Sequence, residues 1–320
     1  MVPDTKDIFS FSSWYGDFTN VTFESRIIEL SEDFLNYLNQ DGIFIPPELG
    51  QPAENANENE GNGFSSDEDD EVERYEWVPE FRLAMNTALA ELGGQVIPKL
   101  NWSAPKDASW ILPNRQCKCT SVADVLMLLK ASTFIAFDVV KLSQKTSAIR
   151  TKPELVLRKW FDINPGWEFR CFVKGNSLIG ITQRYCTTYY PHIAQDPERL
   201  KIQIKEFFAR KICGRFPAGD FVFDVVIQNS ATSGVVLVDF NPFDRITDAI
   251  LFTWDELLSV DSVADDELLR FVNSYLSIQP DEMRQYQIPA DISDSRFTTH
   301  GQDLFGYLDN EIVKQTDSKN

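Results

Sequence analysis

Two carboxylates and one amide stand at spacings that could bind a divalent metal ion. Residues 221–227 and 235–241 are apolar runs on either side of a polar turn, which predicts a β-hairpin. Pairing across the turn sets Asp224 opposite Asp239, and side-chain alternation puts Asn241 on the same face. Opposed carboxylates repel and Mg2+ prefers oxygen ligands, so the hairpin predicts a Mg2+ site, or else acids exposed on an open sheet. The residues expected on the other, apolar face are Phe221, Phe223, Val236, Val238 and Phe240.

Two lysines carried by one strand and its following loop are candidate phosphate ligands. Residues 95–100 predict a strand that carries Lys99, and a loop of small and polar residues then presents Lys106. A lysine ammonium binds phosphate as a point charge, and backbone N–H groups of the loop can add hydrogen bonds. The alternative is two surface lysines beside a proline turn. The other nucleotide-binding candidates here are Asn101, Asp107, Ala108 and Ser109.

An apolar strand with a polar and aromatic end is a candidate hinge for an adenine base. The candidates at its end are Arg158, Lys159, Trp160 and Phe161. Backbone groups there could bond the base edge while Trp160 covers the ring, unless this is an ordinary core strand. In the next predicted hairpin, Glu168 and Arg170 share a face by alternation. Arg170 would clamp phosphate and Glu168 would accept from a ribose hydroxyl, with an exposed ion pair as the alternative.

The composition is that of an acidic globular protein. Its 320 residues are 43% hydrophobic, and 30 basic against 49 acidic residues give a net charge of −19. Such a surface repels phosphate backbones and anionic lipids, so we expect neither nucleic-acid nor membrane binding. The apolar runs are shorter than the roughly 18 residues of a membrane helix, and the N-terminus lacks a signal-peptide pattern. Five Cys without metal-binding spacing and two His predict reduced cytoplasmic thiols and no zinc site.

The order of predicted elements indicates two lobes and one acidic insertion. Residues 54–76 hold ten Asp or Glu and one Arg, which predicts a disordered segment whose Ser65 and Ser66 resemble acid-directed kinase sites. Helices are predicted over residues 31–38, 79–92, 120–130, 197–212 and 246–258. Hairpins interrupted by helices predict an α+β fold with antiparallel sheets, and no Rossmann or P-loop glycine motif is present. The expected divisions are the first lobe (1–50 and 77–155), the insertion (51–76), the second lobe (156–305) and a flexible tail (306–320).

The order of the candidate residues resembles the ATP-grasp group of nucleotide-binding proteins. That group has a lysine strand, a small-residue loop, an adenine hinge, an acidic-x-Arg hairpin, and then Asp followed by Asp/Glu-x-Asn. This chain is similar from Lys99 to Asn241 and includes Gln183-Arg184 in the series. Residues 101–109 depart from the pattern because they contain no glycine. The resemblance implies ATP with Mg2+ in a cleft between two lobes.

Several longer segments resemble the cell division cycle protein 123 family. They are residues 12–15, 41–42, 98–108, 128–130, 157–160, 168–172 and 238–242. The resemblance covers nearly the whole chain and implies a cytoplasmic assembly factor that is monomeric on its own. It also implies binding to the C-terminal domain of the gamma subunit of eukaryotic translation initiation factor 2. Promoting assembly of that heterotrimer would support translation initiation and cell-cycle progression.

Two other functions are compatible with the same residues. ATP-grasp proteins are commonly carboxylate–amine ligases, and Lys99, Lys106, Arg170 and Mg2+ could supply the positive charge that phosphoryl transfer needs. No acceptor-substrate site is recognisable in the sequence, so the ligase is kept as the alternative. An acidic interaction protein with a degenerate site is the third possibility, and the complete set of metal ligands argues against it.

Overall fold

The computed structural model describes residues 7–46, 49, 77–143, 151–228, 234–260 and 263–280. The predicted insertion at 51–76, with Ser65 and Ser66, and the predicted tail at 306–320 lie outside these ranges. The α-helices are α1 (Phe11–Phe18), α2 (Glu32–Asn39), α3 (Val78–Glu91), α4 (Val122–Ala131), α5 (Thr133–Ser143), α6 (Pro191–Gln195), α7 (Pro197–Phe207) and α8 (Trp254–Ser259). The strands are β1 (Ser25–Glu29), β2 (Val96–Lys99), β3 (Glu154–Lys159), β4 (Glu168–Lys174), β5 (Ser177–Gln183), β6 (Phe221–Ile227), β7 (Val235–Pro242) and β8 (Leu269–Arg270). Within the described ranges no helix is both long and apolar enough to cross a membrane.

Side-chain caps determine where helices of the first lobe begin. Ser31 Oγ accepts a hydrogen bond from the backbone N–H of Phe34 at the start of α2. At α4, Ser121 Oγ accepts from Asp124 N while the Asp124 carboxylate accepts from Ser121 N. Such caps satisfy N–H groups that the first helical turn leaves unbonded, and each contributes about 1 kcal/mol. The predicted starts of these two helices are confirmed.

The first lobe is a three-stranded antiparallel sheet covered by helices α2 to α5. The strand order is β1-β3-β2, so β3, which comes last of the three in the sequence, lies at the centre. Met85 on α3, Leu126 on α4 and Leu157 on β3 are fully buried in its core. Because β3 pairs with β1 up to Arg158 and with β2 up to Lys159, the first lobe extends past the predicted division at residue 155.

The second lobe is a five-stranded sheet in the order β7-β6-β4-β5-β8. The predicted β4–β5 hairpin is confirmed, and its turn residues Gly175 and Asn176 have φ of 56° and 61°. Two adjacent left-handed residues are typical of the type I′ turn that suits a twisted hairpin. The pairing of β5 with β8 is parallel, which the sequence did not predict. Helix α7 continues into a π-helical turn, Phe208–Ile212, and packs on one face of this sheet.

A β-bulge lies next to the paired acids of the β6–β7 hairpin. Asp224 is opposite Asp239, but the next pair along the strands is Val225 with Leu237. Val238 is therefore the extra residue, and its side chain lines the cleft between the lobes. The prediction that Val238 lies on the apolar face is wrong, because strict alternation holds only while the ladder is regular.

The predicted helix over residues 246–258 is wrong in its first half, since only α8 is helical there. Ile250 has a positive φ of 59°, which no α-helix accommodates. The segment is held as a loop by two hydrogen bonds. Thr247 Oγ1 donates to Pro242 O at 2.7 Å, and Trp254 Nε1 donates to Thr247 O at 2.7 Å. Helix α5, which was not predicted, follows α4 directly.

The N-terminal segment belongs to both lobes, whereas residues 1–50 were predicted to lie in the first. Helix α1 packs in the core of the second lobe, with the Phe18 ring 5.0 Å from that of Phe240. The chain then crosses to β1 in the first lobe, and it crosses back between β3 and β4. These two crossings lie side by side and are joined by a hydrogen bond from the N–H of Lys159 to Glu24 O at 2.8 Å.

Candidate functional site

A cleft of about 690 Å³ lies between the two sheets. Its volume is typical of sites that bind small molecules. Its lining carries seven Lys or Arg and four Asp or Glu side chains, a net charge of +3 in a chain of −19. The predicted site residues that line it are Lys99, Lys106, Arg158, Lys159, Trp160, Phe161, Glu168, Arg170, Asp224, Asp239 and Asn241.

One of the two acids at the floor of the cleft, Asp224, is already bound by a guanidinium group. Arg170 on β4 lies beside Asp224, and its Nε and Nη2 donate to Oδ1 and Oδ2, both at 2.8 Å. Asn241 Nδ2 lies 3.5 Å from the same carboxylate. Burial raises the pKa of Asp224, but the Arg170 guanidinium outweighs it, so the net shift is below the ordinary 3.8. Asp224 is therefore ionised at neutral pH.

Lys99 forms the second ion pair of the cleft. Its side chain is 2% exposed, and its Nζ donates to Asp239 Oδ2 at 2.7 Å. The Phe11 ring centroid lies 5.4 Å from the same nitrogen. Burial lowers the pKa of Lys99, and the Asp239 carboxylate opposes that shift. The interaction with Asp239 thus favours the charged form of a lysine that is otherwise removed from water.

Lys106 and Glu168 face each other across the cleft without a hydrogen bond. Lys106 opens a 3-10 helix, Lys106–Ile111, and its side chain is 41% exposed. Its Nζ lies 3.9 Å from Glu168 Oε1, which is too far for a hydrogen bond. Glu168 is buried, and that oxygen has no hydrogen-bond partner in the protein. A hydroxyl donor of a bound ligand would satisfy it.

Aromatic rings make one end of the cleft apolar. Arg158 is stacked between Phe11 and Phe23, with its guanidinium carbon 5.4 Å and 5.1 Å from the ring centroids. Phe161 is 47% exposed, and its ring centroid lies 5.5 Å from that of Phe23. Trp160 also lines this end of the cleft. Flat apolar surfaces of this kind suit a planar base.

Unpartnered polar atoms gather on this cleft. Among the described residues, six buried side-chain N or O atoms lack a hydrogen-bond partner, and three of them belong to cleft residues. They are Nε of Arg158, Oε1 of Glu168 and Nε of Arg184. Because an unmade hydrogen bond at a buried polar group costs about 1–3 kcal/mol, their grouping indicates a ligand with both acceptors and donors. The phosphate and ribose groups of a nucleotide fit this requirement.

The oxygen donors at the floor of the cleft fit Mg2+ with help from the ligand. No group of three or more His, Cys, Asp or Glu suited to a metal occurs in the part of the chain that the structure describes. The metal would therefore be held by Asp224, Asp239 and Asn241 together with phosphate oxygens. Two carboxylates, an amide oxygen and phosphate form the kind of shell that Mg2+ takes in phosphate-binding sites.

Four predicted nucleotide-binding residues do not line the cleft. Asn101 is fully buried and donates to Ser10 Oγ and Lys152 O. The Asp107 carboxylate accepts from the backbone N–H of Thr133 at 2.7 Å and so holds the start of α5. Ala108 is in the core of the first lobe, and Ser109 is not part of the lining. Asn101 and Asp107 anchor the loop that carries Lys106 to neighbouring segments, because buried polar groups need hydrogen-bond partners.

Three charged residues of the cleft were not chosen as site residues from the sequence. Arg184 lies after β5, and its Nη1 is 3.7 Å from Asp248 Oδ2. The Asp248 carbonyl accepts from Arg170 Nη1 at 2.8 Å, which ties the loop after β7 to the floor of the cleft. Lys141 reaches the lining from α5. The only sequence signal for any of them was the Gln183-Arg184 pair in the ATP-grasp order. Gln183 does not line the cleft, and its side chain donates to the backbone carbonyl of Thr188.

Comparisons with known proteins agree on one family. A relative from Xenopus tropicalis, "Translation initiation factor eIF2 assembly protein", is 38% identical over 301 residues, which cover 89% of each chain. "Cell division cycle protein 123" from Candida glabrata is 37% identical over 310 residues, covering 90% of this chain and 86% of the relative. The solved structure of Cdc123 from Schizosaccharomyces pombe matches with a TM-score of 0.66 and 32% identity, over 85% of this chain and 98% of that one.

These matches confirm the fold class and the family predicted from the motifs. The α+β arrangement of two lobes around a cleft is shared with the Schizosaccharomyces structure. The D123 family model matches residues 14–296, which is most of the chain and includes every residue that lines the cleft beyond Phe9. The chain therefore belongs to the D123 family, the cell division cycle protein 123 family that its sequence resembles.

Proposed function

We propose that this chain is an ATP- and Mg2+-binding assembly factor for eukaryotic translation initiation factor 2. The chain acts in the cytoplasm and binds the C-terminal domain of the gamma subunit, which promotes joining of the heterotrimer. The names of its Xenopus and Candida relatives support the assembly role and a link to the cell division cycle. MgATP in the cleft would hold the two lobes in one relative position, and so present one surface to the partner.

The observation that carries the nucleotide part of this proposal is the charge of the cleft. A lining of +3 within a chain of −19 concentrates anions in this cleft. A nucleoside triphosphate also matches the rest of the lining. The aromatic end around Trp160 accepts the base, and Glu168 accepts from a ribose hydroxyl. Lys106 and Arg184 then face the phosphates.

Calorimetry with the full chain tests nucleotide binding. Lys106→Met should weaken binding of MgATP about 10- to 100-fold, since a charge-assisted hydrogen bond contributes about 1.5–3 kcal/mol. Lys152→Met is the matched control, because Lys152 pairs with Glu29 at 2.9 Å on the surface outside the cleft. Equal affinity of both variants for MgATP would contradict the proposed phosphate site.

Partner binding is tested by co-precipitation of the purified C-terminal domain of the gamma subunit, with and without MgATP. The wild-type chain should retain the domain, and retention should fall for Lys106→Met but not for Lys152→Met. If the amount of retained domain is the same with and without MgATP and in both variants, the cleft has no role in partner binding.

The ligase alternative has its own measurement. The phosphate-facing cations that favour ATP binding would also serve acyl-phosphate formation, so ADP release is measured with a set of carboxylates and amines. Under the proposed function ADP release stays slow, or rises only with the partner present. Steady ADP production that depends on one small acceptor would favour the ligase instead.

A further inference from the structure

Both carboxylates of the candidate metal site are neutralised by the protein's own cations. Asp224 is bound by the Arg170 fork at 2.8 Å, and Asp239 is bound by Lys99 at 2.7 Å. The four side chains together carry no net charge. A free divalent cation approaching them meets two positive groups within hydrogen-bond distance of its ligands, and Coulomb repulsion at this range is strong in a buried site.

The two cations differ in their freedom to leave. Arg170 holds Asp224 in a bidentate geometry and makes a third bond to the Asp248 carbonyl, so its guanidinium is fixed on three sides. Lys99 carries a compact ammonium on a flexible stem and makes its side-chain hydrogen bond to Asp239. A lysine ammonium is a point charge with rotatable donors on a flexible stem, whereas the planar arginine fork is committed to its bidentate geometry. The movable counter-ion of the site is therefore Lys99.

A phosphate group offers Lys99 an alternative partner. Lys99 lines the cleft together with Lys106 and Arg158, and a triphosphate bound there would bring several negative charges to the same wall. If the ammonium turns to phosphate, Asp239 Oδ2 is released while its Oδ1 still accepts from Phe240 N at 3.1 Å. The freed oxygen then becomes a metal ligand on a carboxylate that is already held in place.

We propose that Lys99 closes the Asp224–Asp239 site to free divalent cations, and that nucleotide phosphate opens it by drawing Lys99 away from Asp239. The inference rests on the proposed nucleotide function of the same cleft. Its consequence is that nucleotide and metal bind with positive coupling, because each removes a charge conflict that the other would meet. Without nucleotide, a divalent metal does not bind at the Asp224–Asp239 site of the wild-type chain.

The test counts bound Mn2+ by electron paramagnetic resonance in the absence of nucleotide, with the full chain. Lys99→Met should bind one Mn2+ at this site with an affinity at least about tenfold, or about 1.4 kcal/mol, above that of wild type, whose site stays empty at the same Mn2+ concentration. The double variant Lys99→Met/Asp239→Asn should lose it again. Lys201→Met is the matched control. It removes another buried lysine, which pairs with Asp265 at 2.7 Å away from the cleft.

A measurement on the wild-type chain keeps the test decisive if Lys99→Met does not fold. Thermal unfolding is followed without ligand, with Mg2+, with ATP and a chelator, and with both. Mg2+ alone should leave Tm unchanged, and the shift with both should exceed the sum of the separate shifts. A Tm shift or Mn2+ binding by wild type without nucleotide overturns the role of Lys99. If MgATP gives no shift at all, the proposed nucleotide function fails instead.

Discussion

Replacing Asp239 by alanine removes a candidate metal ligand and also the partner of a buried cation. Lys99 is 2% exposed and its Nζ donates to Asp239 Oδ2 at 2.7 Å. In Asp239→Ala the ammonium keeps its burial and loses its counter-ion. We therefore expect a loss of folding stability in addition to any loss of metal binding.

Two routes give the same magnitude for this loss. Removing one partner of a buried ion pair typically destabilises a protein by about 3–5 kcal/mol. Lys99 can avoid that state only by releasing its proton. From its ordinary pKa of 10.5, deprotonation at pH 7 costs about 1.4 kcal/mol per unit, or ~5 kcal/mol. A loss of about 3–5 kcal/mol would remove much of the 5–15 kcal/mol that stabilises a typical protein.

The loss should also depend on pH in a known direction. Burial already lowers the pKa of Lys99, and the variant lacks the carboxylate that opposes this shift. The folded variant then binds fewer protons than the unfolded chain, so its stability rises with pH. The rise is at most about 1.4 kcal/mol per pH unit, and it ends where the unfolded lysine titrates, near 10.5.

Urea unfolding followed by tryptophan fluorescence at pH 7 and pH 9 measures these effects. The set is wild type, Asp239→Ala, Lys99→Met and the double variant. The double variant should be more stable than Asp239→Ala, with a coupling of about 1–3 kcal/mol. Two results together would refute the assignment of Asp239 as the partner of Lys99. The stability losses of the two single variants would add up to that of the double variant within about 0.5 kcal/mol, and Asp239→Ala would lose the same stability at both pH values.

Four further outcomes follow from other parts of the molecule. Native chain treated with a thiol reagent should be modified first at exposed Cys213, because the other four cysteines are buried and burial raises the pKa of their thiols; mass spectrometry after partial labelling shows the site. Gly166→Ala should lower the unfolding free energy by about 1–3 kcal/mol in urea titrations, since a Cβ there would lie 2.6 Å from the Tyr190 ring. Glu256, whose pKa is lowered to about 2 by Arg270 and the Thr253 cap, should contribute stability that is lost as pH falls from about 4.5 towards 2; Glu256→Gln should reduce this loss in acid titrations followed by circular dichroism. Deleting residues 54–76 should change the unfolding free energy by less than about 2 kcal/mol, and a larger loss would show that the segment packs on the protein.

Local patterns in the sequence were enough to predict which acidic side chains face each other at the floor of the cleft. The pairing of Asp224 with Asp239 depends only on two strands and the turn between them. The β4 hairpin is equally local, since Gly175 and Asn176 supply the left-handed turn that fixes its register. Short-range rules therefore placed the acids and Arg170 on their strands, although they could not show that Arg170 would bind Asp224 across strands.

Contacts between distant segments account for what the sequence did not predict. Asp107 is next to Lys106 in the chain, but its carboxylate accepts a hydrogen bond from Thr133 at the start of α5, and the whole of helix α4 lies between them in the sequence. The loop around Asp248 was predicted to be helical, and the hydrogen bonds of Thr247 to Pro242 and from Trp254 keep it irregular. Such tertiary interactions override local propensity and leave no periodic pattern.

The two side-by-side crossings between the lobes determine how the cleft can open. A single connecting strand would let one lobe both tilt and twist against the other. Here the segment before β1 and the segment after β3 run together, joined by the Lys159-to-Glu24 hydrogen bond. Two adjacent connections form a hinge, so we expect the lobes to rotate about the line that joins the two connections and to resist twisting. We therefore expect the walls that carry Lys106 and Glu168 to approach and separate along one path.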